Sequence, residues 1–170
     1  MPLSTYDASV GLLVSGLGSL QSILAKAEEH AKSKEINPDD YVQLKLYEDM
    51  KALDFQVHSA VDTSTKCAAR LLGIEPLEWK SETTFAGLQK QVADGLAYLK
   101  KVAPDAVEGK ETKTITMGIG PGKSKDLPAK NYISGYSIPN FFFHLQTAYA
   151  LLRHNGVPLN KGTYISAFMA

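Results

Sequence analysis

The sequence predicts an all-α protein: an up-and-down four-helix bundle with a small β-hairpin or extended insertion before the last helix. Four long segments repeat apolar residues three and four positions apart, which is the spacing of one face of an α-helix. The links between these segments are short, so consecutive helices are expected to lie antiparallel to one another. One stretch, residues 111–117, breaks the helical spacing and is rich in β-branched residues.

The first helix is predicted over about residues 4–33. Its apolar face consists of Tyr6, Val10, Leu13, Val14, Leu17, Leu20, Leu24, Ala27 and Ala31. Gly11, Gly16 and Gly18 interrupt this helix, and a glycine inside a helix costs roughly 1 kcal/mol relative to alanine. We expect the close approach of a neighbouring helix to compensate for that cost.

The second helix is predicted over about residues 49–72. Gly73 gives it a natural end, because glycine readily adopts the left-handed conformation that closes many helices. Thr83 or Thr84 is expected to cap the third helix. The apolar face of this third helix runs over residues 85–102.

The stretch before the last helix is predicted to be a β-hairpin with a glycine-rich turn. Residues 117–124 nearly spell the phosphate-binding motif GxxxxGK[ST], but Met117 stands in place of its first glycine. Such a loop also needs a helix that begins at its lysine, and Pro128 would break that helix. A hairpin turn is therefore predicted here instead of a nucleotide site.

The fourth helix is predicted over about residues 130–154, with Gly156 just beyond its end. Pro139 lies inside it and lacks the N–H that would bond to the carbonyl of Gly135. We expect a kink at this position.

The composition predicts one domain, residues 1–170, and argues against several classes of function. The 18 basic and 18 acidic residues cancel, so no nucleic acid partner is expected. The chain does not begin like a signal peptide, and no uncharged apolar stretch is expected to be long enough to span a bilayer. A cytoplasmic location without a membrane partner follows as an expectation. The single cysteine, Cys67, is expected to be a small buried residue.

Two histidines have surroundings that are typical of a functional site. His58 has Asp54 and Asp62 one helical turn away on either side, and a carboxylate there could orient its ring. His144 follows three phenylalanines, and Asn140 lies one turn before it. Polar groups in such an apolar context need hydrogen-bond partners if they are buried.

The end of the chain resembles the last helix of the DinB-like bundle proteins. The resemblance is carried by residues 140–144 (NFFFH) and by residues 148–156 (AYALLRHNG). Residues 6–7 (YD), 55–58 (FQVH) and 152–158 (LRHNGVP) resemble more closely an uncharacterised subfamily of this superfamily, a domain of unknown function. This resemblance extends over nearly the whole chain and implies the same bundle fold.

The resemblance also implies a metal site. Members of the superfamily typically bind a divalent metal through one histidine of the second helix and an HxxxH pair of the fourth. By position, these ligands correspond to His58, Asn140 and His144. The spacing of Asp54 and Asp62 around His58 predicts that they support its ring or are recruited as further ligands. Asn140 replaces a histidine, and asparagine is a poor ligand for zinc or nickel. Either a weakly held divalent metal (Zn or Ni) or a metal-free hydrogen-bond network is therefore expected.

Two hypotheses about function remain open from the sequence. The first is an enzyme acting on an unknown small molecule, either degenerate and metal-dependent or using His58 and His144 as acid and base. The second is a non-catalytic bundle in which His58, Asn140 and His144 are structural. In the second case it binds a ligand or serves as a dimeric scaffold. Aromatic residues surround the last helix, and dimers are common in the superfamily that the chain resembles. A homodimer is therefore expected.

Overall fold

The computed structural model describes residues 3–170 and is mostly helical, with one antiparallel hairpin. A π-helical segment, Asp7–Gly11, leads into α1 (Leu12–Ser33). The other elements are α2 (Leu53–Leu72), α3 (Phe85–Leu99), β1 (Thr114–Gly120), β2 (Lys123–Pro128), α4 (Ala129–Tyr132), a second π-helical segment (Ile133–Ser137), α5 (Ile138–His154) and α6 (Lys161–Ile165). Short 3₁₀ turns occur at Pro38–Tyr41, Pro104–Ala106 and Ser166–Phe168.

The long helices α1, α2, α3 and α5 contribute to one hydrophobic core. Helices α1 and α2 each contact both α3 and α5. Leucine, valine and alanine side chains fill the space between them, and the largest buried rings are those of Tyr132, Phe85 and Phe141. The short C-terminal elements lie against α1, where Ser19 Oγ donates a hydrogen bond of 2.7 Å to the Tyr164 carbonyl.

Local signals explain where the helices end. Thr84 caps α3 by accepting a hydrogen bond of 3.1 Å from the Gly87 N–H, as the sequence predicted. Gly73 ends α2 with a φ of +80°, which confirms its predicted role. Helix α2 begins at Leu53, four residues later than predicted. The chain before it folds back so that the Leu53 N–H bonds to the Leu44 carbonyl.

Only one of the three glycines of the first helix is explained by a neighbouring helix. A Cβ atom at Gly16 would overlap the ring of Phe141 on α5, so this position requires glycine. At Gly18 a Cβ would meet Ala167 at an ordinary 3.4 Å. Gly11 instead leaves room for the Tyr6 ring of its own segment.

The last predicted helix is divided into α4, the second π-helical segment and α5. The division falls just before Pro139, whose ring disfavours a regular α-helical bond to the preceding turn. In the π geometry the Ile138 N–H bonds to the Ile133 carbonyl, five residues back. Where a kink was predicted, the structure has a widened turn on the N-terminal side of the proline.

The predicted hairpin is confirmed, and the phosphate-loop-like sequence forms its turn. Thr114 pairs with Pro128, and the pairing becomes irregular between Gly118 and Gly120. Ile115 and Met117 are buried, while nearly all of β2 is exposed. The hairpin is fixed to the bundle by Lys113, whose ammonium donates to the Arg70 carbonyl at the end of α2 over 3.0 Å.

One helical stretch, Asp7–Ser33, is long and apolar enough to cross a membrane by length and composition, which corrects the expectation from the sequence. Half of its most apolar 18-residue window is buried inside the protein. The buried core helix of a protein that does not cross a membrane can have the same length and apolar composition. Its apolar face packs against α3 and α5.

Candidate functional site

Asn140 and His144 lie one turn apart on α5, and both bond across to α2. The Asn140 Nδ2 atom donates a hydrogen bond of 2.8 Å to Thr63 Oγ1. His144 Nδ1 and Gln56 Oε1 are also 2.8 Å apart. Gln56 and Thr63 are seven residues apart, so they share one side of α2. These four side chains form a polar seam between the two helices.

The hydrogen bonds of Gln56 determine which nitrogen of His144 carries the proton. Gln56 Nε2 donates to the Lys51 carbonyl over 2.9 Å, so the amide oxygen must be the atom that faces His144. An amide oxygen can only accept, and His144 therefore donates from Nδ1. The lone pair of neutral His144 is on Nε2, the nitrogen that is free to act as a base or a ligand.

His144 is close to the surface but largely covered. Its residue is 9% exposed, and its ring meets the rings of Phe55 and Phe143 edge-on, with centroids 5.9 Å and 5.3 Å away. Burial among these rings lowers the pKa of His144, because the charged imidazolium loses hydration there. The neutral form is therefore favoured at neutral pH.

His58 lies on a different side of α2 from this seam. It is two residues from Gln56, so the two side chains leave the helix about 200° apart. Its Nδ1 is 3.3 Å from Gln91 Nε2 on α3, and the same amide nitrogen donates to the Lys80 carbonyl over 2.9 Å. His58 Nδ1 must then accept, and its proton is on Nε2. The two histidines thus have opposite tautomers.

The two aspartates predicted to support His58 have other partners. Asp54 accepts from Gln43 Nε2 over 2.9 Å and from the Phe55 N–H over 2.6 Å. Asp62 forms a 2.8 Å ion pair with Lys66. Neither carboxylate bonds to His58 within the part of the chain that the structure describes.

The arrangement does not fit a metal centre with three ligands. No three His, Cys, Asp or Glu side chains in residues 3–170 lie close enough together to hold a metal ion. His144 has a free Nε2, but His58 has its proton on Nε2 and faces α3. The structure thus brings Asn140 and His144 together and leaves His58, Asp54 and Asp62 on another flank.

Sequence reasoning did not include Gln56, Gln91 and Thr63, which bond to the predicted site residues. All three are buried or nearly so, and Gln91 Oε1 has no hydrogen-bond partner among the described residues. One signal was present in the sequence. Gln56 and Thr63 are polar positions about two turns apart beside the apolar face of α2, which indicates a buried polar partner.

A separate cleft of about 620 Å³ lies between residues 3–12 and the stretch from α4 to the start of α5. Its walls include Leu12 and Ala8 on one side and Ile133 and Ile138 on the other. None of the site residues predicted from the sequence lines this cleft. Its size falls within the range of pockets that hold small molecules.

The fold is thus that of a mostly helical protein with a small antiparallel hairpin and a polar seam between two long helices. The family model described as "Domain of unknown function (DUF1993)" matches residues 5–165, and the chain belongs to this family. The chain is also similar to the crystal structure of a DinB family member protein from Shewanella denitrificans. The two are 34% identical, with 94% of this chain and 90% of that chain covered and a TM-score of 0.84. No curated protein matches the chain.

These findings confirm the predicted membership of a DinB-like subfamily whose domain has no known function.

Proposed function

We propose that the protein is a non-catalytic, ligand-binding member of the DinB-like group, in which His58, Asn140 and His144 are structural. The observation that supports this most directly is the pairing of each polar side chain with a partner of its own. A buried hydrogen bond of this kind fixes the register of two helices, and it leaves no shared centre for a metal or a substrate.

The proposal includes a single domain, residues 1–170, arranged as an up-and-down four-helix bundle. The ring of contacts among α1, α3, α2 and α5 supports the bundle. Both ends of the chain are attached to it: Glu108 accepts from the Tyr6 N–H over 2.9 Å, and Ser19 bonds to Tyr164. A cytoplasmic location remains part of the proposal.

A second candidate function is a degenerate metal-dependent enzyme, and one observation favours it. The Nδ1–H of His144 is held by an amide oxygen and leaves Nε2 free, as is usual for histidines that bind metals. This candidate requires His58 to leave Gln91 and turn towards α5. A divalent zinc or nickel ion would then be held by His58, Asn140 and His144.

Metal content and stability together separate the two candidates. Elemental mass spectrometry would be done on untagged protein purified without chelator, for the native chain, His144→Ala and His154→Ala. The exposed His154 is the matched control. We expect no stoichiometric metal in any sample and one cooperative melting transition. His144→Ala should lose about 1–3 kcal/mol, because Gln56 Oε1 is left buried without a donor.

Replacing both partners gives a further test. The double variant Gln56→Leu/His144→Phe removes donor and acceptor together and should recover most of the stability that His144→Ala loses. Near-stoichiometric zinc or nickel in the native chain, absent from His144→Ala but present in His154→Ala, would overturn the structural role and support the enzyme.

A further inference from the structure

Both π-helical segments of the chain contribute to the 620 Å³ cleft. Asp7 and Ala8 belong to the first segment, and Ile133 and Ser134 belong to the second. A π-turn has poorer hydrogen-bond geometry than an α-helix and is found frequently at functional sites. Pro139 accounts for the second segment, but the first contains no proline and no comparable covalent cause.

The walls of the cleft are mainly apolar. Leu12, Ala8 and Ile138 present partly exposed aliphatic groups, whereas Ile133 is almost completely buried and adds little exposed surface. An apolar molecule placed here would remove this surface from water, at roughly 25 cal/mol per Å².

Three charged side chains stand at the mouth of the cleft. Asp7, Glu111 and Lys130 all line it, and all three residues are exposed. Within residues 3–170, none of them takes part in an ion pair, although their charges are opposite. Glu111 accepts a hydrogen bond of 3.3 Å from the Thr5 hydroxyl. The rim thus offers two carboxylates and one ammonium group.

These charges select among classes of ligand. A simple anion would be attracted by Lys130 but repelled by Asp7 and Glu111, whereas a simple cation would be attracted by the two carboxylates but would leave Lys130 without a partner. A zwitterion with an apolar body satisfies both signs: its ammonium group meets the carboxylates and its carboxylate meets Lys130.

We propose that this cleft binds a short apolar peptide with both ends free, such as a dipeptide of leucine. The inference rests on the binding role proposed above and names the site and the class of ligand. The side chains of the peptide lie against the aliphatic walls, while its two charged ends meet the rim. The polar seam at His144 takes no part in this binding.

Isothermal titration calorimetry on the full chain tests the proposal with three probes: leucyl-leucine, its N-acetyl derivative and its C-terminal amide. We expect the free dipeptide to bind and each blocked form to bind about tenfold more weakly, since each lacks one charged contact. Absence of binding by the free dipeptide, or equal binding of all three probes, would overturn the proposal.

Variants locate the site. Ser134→Trp puts an indole into the cleft from an exposed helical position and should abolish binding. Ser33→Trp is the matched control, because Ser33 and Ser134 are both exposed and each donates its hydroxyl to a carbonyl of the preceding helical turn. Lys130→Met should remove the preference for the free carboxylate over the amide. Binding that persists in Ser134→Trp would contradict the assignment of the cleft.

The two proposals fail in different ways. Stoichiometric metal lost with His144 would contradict the structural role of the seam and leave the dipeptide measurements unaffected. Failure of leucyl-leucine to bind would remove the ligand proposed for the cleft, while the metal-free seam would stand.

Discussion

His144 is held neutral between two phenylalanine rings, and this gives the stability of the protein a specific pH dependence. Burial lowers the pKa of His144 below its ordinary value of 6.5. Between that value and the lowered native pKa, the unfolded chain binds a proton that the folded chain does not bind. The free energy of unfolding must therefore fall as the pH falls below about 6.5, and the loss is complete below the native pKa.

This behaviour can be measured by urea unfolding of the native chain and His144→Gln at several values between about pH 4.5 and 8. Glutamine does not titrate, so the difference in stability between the two proteins should change in favour of the variant as the pH falls. His154→Gln provides the control, since His154 is exposed at the end of α5. Parallel stability curves for the native chain and His144→Gln would contradict the prediction.

The residues of the site were only partly predictable from the sequence. His144 and Asn140 were identified by their polarity within an apolar helix face, and both bond to α2. The partner on α2 is Gln56, which was indicated only by its polar position beside the apolar face of that helix and not by the chemistry of its residue type. The direction in which a side chain points depends on its angular position around the helix axis. Gln56 and His58 differ by about 200° in this position, so Gln56 faces α5 and His58 faces α3.

At the scale of elements, Gly16 controls how closely α1 approaches α5. A Cβ there would overlap Phe141, a fully buried ring in a packed interface that cannot expand without cost. Gly16→Ala should therefore destabilise the protein by about 1–3 kcal/mol, despite the better helix propensity of alanine.

The matched control is Gly18→Ala on the same helix, where the new methyl group makes only an ordinary contact. This variant should be neutral or stabilising by up to about 1 kcal/mol. Urea unfolding measures both variants, and Phe141→Leu should reduce the cost of Gly16→Ala because the smaller side chain makes room for it. If the two glycine substitutions had equal effects on the free energy of unfolding, the close packing of Phe141 against α1 could not be the reason for the cost of Gly16→Ala.

The starts and ends of helices were predictable where a few adjacent residues determine them. The end of α2 at Gly73 and the start of α3 after Thr84 follow from backbone conformation and capping, which can be identified from a few adjacent residues. The late start of α2 depends on a hydrogen bond from the Leu53 N–H to the Leu44 carbonyl in the preceding loop. The helix propensities of individual residues do not predict a hydrogen bond of this kind. The first π-helical segment likewise has no sequence signal comparable to Pro139.

At the scale of the whole molecule, the exposed aromatic residues indicate where a second copy would bind. Phe143 is 58% exposed, Tyr136 is 39% exposed, and the two are seven residues apart in the last helical stretch. Phe55, 42% exposed, extends the patch across the start of α2. A symmetric dimer would pack this patch against the same patch of its partner, since an interface of this kind uses one surface twice.

The homodimer expected from the sequence can be tested by light scattering coupled to size-exclusion chromatography over a range of concentrations. The native chain should have the mass of two copies, and Phe143→Ser should shift it towards one copy, because the substitution removes the most exposed ring of the patch. Ile74→Ser is the control, as Ile74 is 53% exposed but follows the far end of α2. A monomeric native chain at high concentration, or a dimer unaffected by Phe143→Ser, would contradict this interface. If the dimer forms, the Phe143 rings that flank His144 become covered in both copies, and the seam becomes still less accessible to a substrate.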